Sequence, residues 1–216
     1  MNTMKVKKFT QLDVSLVHKE SGYDGFFSLK QYALQHALFQ GGNSKVIIRE
    51  CLERGHAVGV LAYDPWLDNI VLLEQFRIGA YVNIASENIT ADTDTPWLYE
   101  IIAGIVEAGE FHEDVAHREA IEEAGCTLLH VKFITDFYSS PGGSSETTKL
   151  FCACVNSKNV DGIYGLEEEG EDIRVKVISF EKAVQWLKEG RLNNASTIIS
   201  MQWLMLNRDE VKKLWY

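Results

Sequence analysis

The stretch GIVEAGEFHEDVAHREAIEEAGC, residues 104–126, constrains the fold of this chain more than any other. Ala116, Ala120 and Ala124 recur at i, i+4 and i+8, a stripe of small side chains that lets a helix lie close against a sheet. Asp114 or a neighbour is expected to open this helix, and Gly125 to close it. The same 23-residue stretch holds seven carboxylates, and Glu119, Glu122 and Glu123 fall at i, i+3 and i+4, on one face. Like charges at these spacings destabilise a helix, and an Arg118–Glu122 pair offsets only a few tenths of a kcal/mol. A solvated acidic face is the ordinary reading of such a helix. Glycines frame this one at both ends, however, and Glu110 sits on the entry loop where it can fold back. That arrangement favours carboxylates converging on a hard divalent cation, and Mg²⁺ held this way keeps water ligands and bridges to phosphates.

The flanking segments supply the sheet. Alternating runs in the first fifty residues (DVSLVH, GFFSLKQYALQHALF, KVIIRE) are broken by SGYDG and QGGNS and predict a small antiparallel sheet. HAVGVLAYD and DNIVLLEQF, joined by a DPWLD turn, are more continuously apolar and predict central strands of a larger sheet. WLYEIIAGIVEAG, HVKFITDFYSS, TKLFCACVN and EDIRVKVISF add further strands, and FEKAVQWLKEG and NASTIISMQWLMLNRDEVKKLW add helices. Residues 82–95 are expected to form an extended loop. The fold class is therefore α/β (α+β), with residues 1–50 a strand-rich region and residues 51–216 the main domain.

Charge and cysteine usage narrow the partners. Twenty-one basic and 31 acidic residues give a net charge of −10, which repels nucleic acid; a small anionic substrate would need a cation beside it. No stretch resembles a signal peptide or a membrane span, so a cytoplasmic location without membrane association is expected. Cys152 and Cys154 share a strand face but lack a second Cys or His pair at zinc-ligand spacing, and with Cys51 and Cys126 they are read as free thiols, buried in the core.

The acidic stretch resembles the Nudix box, G-x5-E-x7-R-E-U-x-E-E-x-G-U with U aliphatic. It reads Gly104, Glu110, Arg118, Glu119, Ala120, Glu122, Glu123, Gly125 and Cys126: seven of nine defined positions match by identity, and Ala and Cys fill the U positions. DGFFSL, RECLERGHAV, LLEQFRIGAY and SSPGGSSE extend the likeness to the bacterial ADP-ribose pyrophosphatases of the Nudix superfamily, with Pro141 placed 15 residues beyond the box as is typical of that subgroup.

The resemblance implies a Nudix α/β/α sandwich with a mixed sheet, preceded by a small antiparallel sheet that swaps across a homodimer. It implies Mg²⁺-dependent hydrolysis of ADP-ribose to AMP and ribose 5-phosphate, with Mn²⁺ as a substitute ion. Glu119, Glu122, Glu123, the backbone carbonyl of Ala103 and Glu171 would bind metal. Arg118 would orient the glutamates, with Glu110 in a similar supporting role. Glu169 would be the base, although Glu167 and Glu168 adjoin it and Gly170 leaves the loop pliable. Phe26 would stack on adenine and Arg49 lie near it. Arg77 would reach the diphosphate, and Glu146 the terminal ribose. Another nucleoside diphosphate sugar (an ADP-sugar or GDP-mannose) is the alternative substrate, and a non-catalytic ADP-ribose sensor the alternative from another class.

Overall fold

A computed structural model describes residues 8–86 and 95–216. The chain divides into two compact units, the smaller comprising the N-terminal residues to Gly55 with Tyr138–Glu146, and the larger His56–Phe137 with Thr147–Tyr216.

In the small unit, β1 (Val14–Asp24), β2 (Ser28–His36) and β3 (Ile47–Glu53) form an antiparallel sheet in that order. Register is set at the β1–β2 end by Asp24, whose carboxylate accepts from Ser21 and Ser28 and pairs with Lys30 at 2.7 Å. The segment carrying Pro141 docks on β3, where Leu52 N–H donates to Gly143 O at 2.8 Å and Ser145 N–H to Leu52 O at 3.1 Å. Every residue of β1 is exposed, including Leu16, Val17 and Tyr23.

The large unit is built on an eight-stranded mixed sheet. Its path is β10 (Gly162–Tyr164), β11 (Ile173–Ser179), β5 (Asn69–Phe76), β4 (His56–Asp64), β9 (Thr147–Cys154) and β8 (His130–Tyr138). β6 (Trp97–Glu100) pairs with β5, and β7 (Ile102–Val106) with β4; β4 and β9 run parallel. Alternation along β4 divides the core. Val58, Val60 and Ala62 face one side, where α2 (His112–Ala124) packs through Val115, Ala116, Ala120 and Ala124. Leu61 and Tyr63 face the other, under α3 (Phe180–Lys188) and α4 (Ala195–Trp215). The sheet is thus covered on both faces, which is the α/β/α sandwich expected of the sequence.

The turn between β4 and β5 is fixed by two aspartates. Asp64, 1% exposed, accepts from the N–H groups of Trp66, Leu67 and Ser157 and from Ser157 Oγ, and these bonds hold its carboxyl below the ordinary range against the desolvation of burial. Asp68 receives Arg208 and Lys212 from α4, tying the C-terminal helix to the turn. Cys152 and Cys154 lie together in the core facing α3 and α4, and all four cysteines are free thiols, Cys51 alone being partly exposed.

Two local expectations are corrected. Helix α2 opens at Phe111, which makes no side-chain capping bond, so Asp114 lies in the first turn, where its charge favours the positive end of the helix, instead of capping it. Part of the loop expected at 82–95 is helical: α1 runs Ile78–Ser86, opened by Tyr81 N–H donating to Arg77 O at 3.1 Å. Ile78, Tyr81 and Val82 at i, i+3 and i+4 carry the period that the polar residues after them obscured. Residues 87–94 of that expected loop lie outside the described residues.

Candidate active site

Helix α2 can approach the sheet closely because its contact stripe is alanine, and the same closeness buries one of its carboxylates. Glu123 is 3% exposed and accepts from Ala103 N–H on β7 at 2.8 Å. It forms no ion pair among the described residues. Burial pushes its carboxyl up to about 8, and the charges of Glu119 and Glu171 push the same way, while the Ala103 bond and the charge of Arg77 oppose them. Burial likewise raises Glu119 to about 7, with Arg118 opposing and Glu122 and Glu171 adding to the rise.

Arg118 ties the rest of the cluster together, with its guanidinium 2.8 Å from Glu119, 3.1 Å from Glu122 and 3.7 Å from Glu110. Glu110 does fold back, accepting from Glu107 N–H at 2.9 Å. The two glycines at the ends of the box have steric reasons. A Cβ on Gly104 would lie 2.1 Å from Glu119 Oε1, and Gly125 holds the left-handed C-cap at φ 58° with its N–H on Ala120 and Ile121 carbonyls. Because the group that Gly104→Ala would strike is the movable end of Glu119, we expect this variant to fold with little loss of Tm while turnover falls sharply. Undiminished turnover would separate Glu119 from the chemistry.

The second acidic run forms a 3₁₀ turn, Glu167–Glu169, closed by Gly170 at φ 71°. Glu169 is exposed on it. Glu171 is half-buried, accepts from Leu166 N–H at 3.1 Å, and is the member of this run whose charge acts on Glu119 and Glu123. Arg77 follows β5, and its Nε donates to Glu100 Oε2 at 2.7 Å.

Glu119, Glu122, Glu123, Ala103, Arg118, Arg77 and Glu171 thus belong to one neighbourhood of the large unit. Glu110 and Glu169 also lie in the large unit, and Phe26, Arg49 and Glu146 are in the small unit. Phe26 is 83% exposed and meets Phe27 edge-on at 4.9 Å. Glu146 is buried, pairs with Arg54 at 2.8 Å and accepts from Ser139. Arg54 also stands over the Phe27 ring at 5.2 Å. Arg49 is exposed on β3 and donates to Ile48 O at 2.8 Å, apart from the Arg54–Glu146 pair. Sequence reading missed Arg54 and Glu100. Each pairs with a residue distant along the chain, 92 and 23 positions away, and no local spacing announces such a partner.

The donor set suits a hard divalent cation: carboxylate oxygens and one backbone carbonyl, with a buried carboxylate that lacks a cationic partner. Among the described residues no three acidic, His or Cys side chains converge closely enough to hold an ion as they stand. Glu119 and Glu122 are turned to Arg118, and binding would draw them from it. Glu119, Glu122, Glu123, Glu171 and Ala103 O are the groups that would serve.

Such a cluster at the end of a small-residue helix, on the face of a mixed sheet, defines a class. Residues 53–200 match the NUDIX domain, well over half of the chain, and the chain belongs to the Nudix family. It is 46% identical over 208 residues to the ADP-ribose pyrophosphatase of Escherichia coli (strain K12), covering 96% of this chain and 95% of that protein. It is 43% identical to the ADP-ribose pyrophosphatase of Haemophilus influenzae over 211 residues, 98% and 94% of the two chains. A GDP-mannose pyrophosphatase of Pectobacterium atrosepticum is 31% identical over 189 residues, 88% and 92% of the two chains. A crystal structure of an ADP compounds hydrolase superposes with a TM-score of 0.64 at 17% identity over 93% of this chain and 98% of its own, a likeness of fold. No helix among the described residues is long and apolar enough to cross a membrane.

Proposed function

We propose that the protein hydrolyses the pyrophosphate of ADP-ribose to AMP and ribose 5-phosphate, with Mg²⁺ bound at the α2 carboxylates and Mn²⁺ able to replace it. The observation that carries this reading is the near full-length identity to ADP-ribose pyrophosphatases, which stands well above that to the GDP-mannose enzymes. The negative cluster cannot receive a diphosphate by itself; a bound divalent cation supplies the charge neutralisation that phosphoryl transfer demands.

The side chains have separable tasks. Glu123 and Glu119 present oxygens from α2, and Arg118 holds Glu119, Glu122 and Glu110 in mutual register. Arg77 brings positive charge to the diphosphate. Glu169 takes a proton from water as the water oxygen bonds to phosphorus; the bridging P–O bond breaks and its electrons leave on the departing phosphate. Glu171 braces the loop through Leu166 and adds a carboxylate to the cation site. Phe26 offers a ring face for adenine with Arg49 nearby, and Glu146, held by Arg54, an acceptor for the terminal ribose.

The fully exposed β1 and its apolar side chains support a homodimer in which the N-terminal sheet is swapped, because a three-stranded sheet with no buried face is marginal alone. Four free thiols suit a reducing, cytoplasmic setting.

The test is to incubate the protein and Mg²⁺ with ADP-ribose, ADP-glucose and GDP-mannose and separate the products. Selective release of AMP and ribose 5-phosphate supports the reading. Preference for GDP-mannose would replace the substrate, and binding of ADP-ribose without turnover would make the protein a sensor. To assign the loop, Glu169→Gln is expected to lose turnover with Mg²⁺ affinity kept, and Glu171→Gln to weaken Mg²⁺ binding. The reverse pattern would exchange the two roles.

A further inference from the structure

Arg118 is committed to three glutamates, and among the described residues Arg77, whose charge already reaches Glu123, is a cation left to meet an anionic substrate at this cluster. How Arg77 is held therefore decides what it can recognise. A free arginine at a strand end samples many rotamers and loses that freedom on binding. Arg77 is not free, because Glu100 accepts its Nε–H at 2.7 Å. The pairing is asymmetric, since the Glu100 side chain is 12% exposed and that of Arg77 44%. The carboxylate is an anchor set in the sheet, and the guanidinium is the part that reaches out. Nε is on the edge of the guanidinium nearest the backbone, so Glu100 leaves the outer two nitrogens, the fork that fits phosphate oxygens in pairs, without a partner among the described residues.

The sheet explains why Glu100 stands there. In the β5–β6 ladder Leu73 is opposite Glu100 and Gln75 opposite Leu98, and Leu73 belongs to the face that packs on α2. Alternation places Gln75, Arg77 and Glu100 on that same face. Gln75 does not compete for Glu100: it is 6% exposed, and its Nε2 has no hydrogen-bond partner among the described residues. Glu100 thus serves Arg77, at the cost of a mostly buried carboxylate beside an already acidic helix.

We infer that Glu100 is a positioning residue for diphosphate recognition, holding Arg77 by Nε so that its outer nitrogens meet the phosphate oxygens of the substrate. This rests on the reading of the protein as a nucleoside diphosphate sugar hydrolase, and it deepens that reading by assigning specificity for the diphosphate to a pair of residues.

A double-mutant cycle tests it, with calorimetric affinity for the non-hydrolysable α,β-methylene analogue of ADP-ribose in Mg²⁺ alongside kcat and KM for ADP-ribose. Glu100→Leu is expected to weaken analogue binding and raise KM about tenfold, the size of one charged hydrogen bond, with kcat little changed. Glu100→Gln keeps an acceptor for Nε and should recover most of that loss; Glu100→Ala, which also removes the acceptor, takes the place of the Leu variant if that one fails to fold. In an Arg77→Ala background, Glu100→Gln and Glu100→Leu should have no further effect on affinity. Additive losses, or a Glu100→Leu variant that binds like wild type while wild type hydrolyses ADP-ribose, would overturn the positioning role and leave the function intact. A wild-type protein that neither binds the analogue nor hydrolyses ADP-ribose would bring down the functional reading and the inference together.

Discussion

Glu123→Gln is expected to lower turnover of ADP-ribose by at least about 100-fold, the scale seen when one preorganised electrostatic group is removed from an active site. The fold should survive, because the amide oxygen of Gln can still accept from Ala103 N–H, the bond that Glu123 makes at 2.8 Å. The metal-free variant should even melt at or above the wild-type temperature, since a buried charge without an ion pair is replaced by a neutral group of the same shape. Glu122→Gln is a graded control: Glu122 is half-buried and held by Arg118 at 3.1 Å, so its loss should be smaller. Steady-state kinetics with Mg²⁺, together with thermal melts in EDTA, separate the outcomes. Near wild-type turnover in Glu123→Gln would detach the buried carboxylate from the chemistry. Loss of turnover with a collapsed Tm would make Glu123 a structural residue.

Much of the fold was legible because it follows from alternation and from one stripe of alanines. Ala116, Ala120 and Ala124 foretold a helix laid close on a sheet, and those residues are fully buried against it. The split of β4 into Val58, Val60 and Ala62 on one face and Leu61 and Tyr63 on the other is a period-2 pattern within a continuous apolar run. The two helix starts were less legible. Phe111 caps α2 through backbone geometry alone, which no Ser, Thr, Asp or Asn advertises, and the short apolar period of α1 at Ile78, Tyr81 and Val82 runs straight into polar residues that hide it.

The candidate site was legible where it is local and obscure where it is not. Glu119, Glu122, Glu123 and Arg118 lie within two turns of one helix, so their spacing announces their proximity. Nothing in that spacing says that Glu123 alone would be buried; this depends on the helix being rotated so that position 123 follows Ala116 and Ala120 toward the sheet. Arg54–Glu146 and Arg77–Glu100 are joined only by sheet register and loop docking. In Arg77 the sequence shows a cation, but only the fold shows which of its nitrogens are spoken for.

The stability of the metal-free protein should fall as pH rises from about 5 to about 8.5, and Glu123 should account for a measurable share of the fall. Two carboxyls of α2 are raised in the folded state, the half-buried Glu119 to about 7 and the buried Glu123 to about 8, from an ordinary value of 4.5. Between the ordinary and the folded values the native protein binds more protons than the unfolded chain, and stability must decline with pH across that window. Below the ordinary carboxylate range their contribution is fully present, and above about 8 it has been lost. Other groups titrate in the same interval, so the informative quantity is the difference in Tm between Glu123→Gln and wild type. It should be near zero at pH 5 and positive by several degrees at pH 8.5 in EDTA. Adding Mg²⁺ at pH 8.5 should close the gap, because the cation favours the ionised carboxylate that Gln cannot supply, and Mg²⁺ should stabilise wild type more at pH 8.5 than at pH 5.5. A difference in Tm that does not vary with pH would mean that Glu123 is ionised throughout and compensated by a partner within the chain. In that case the case for a cation beside it would lose its electrostatic basis.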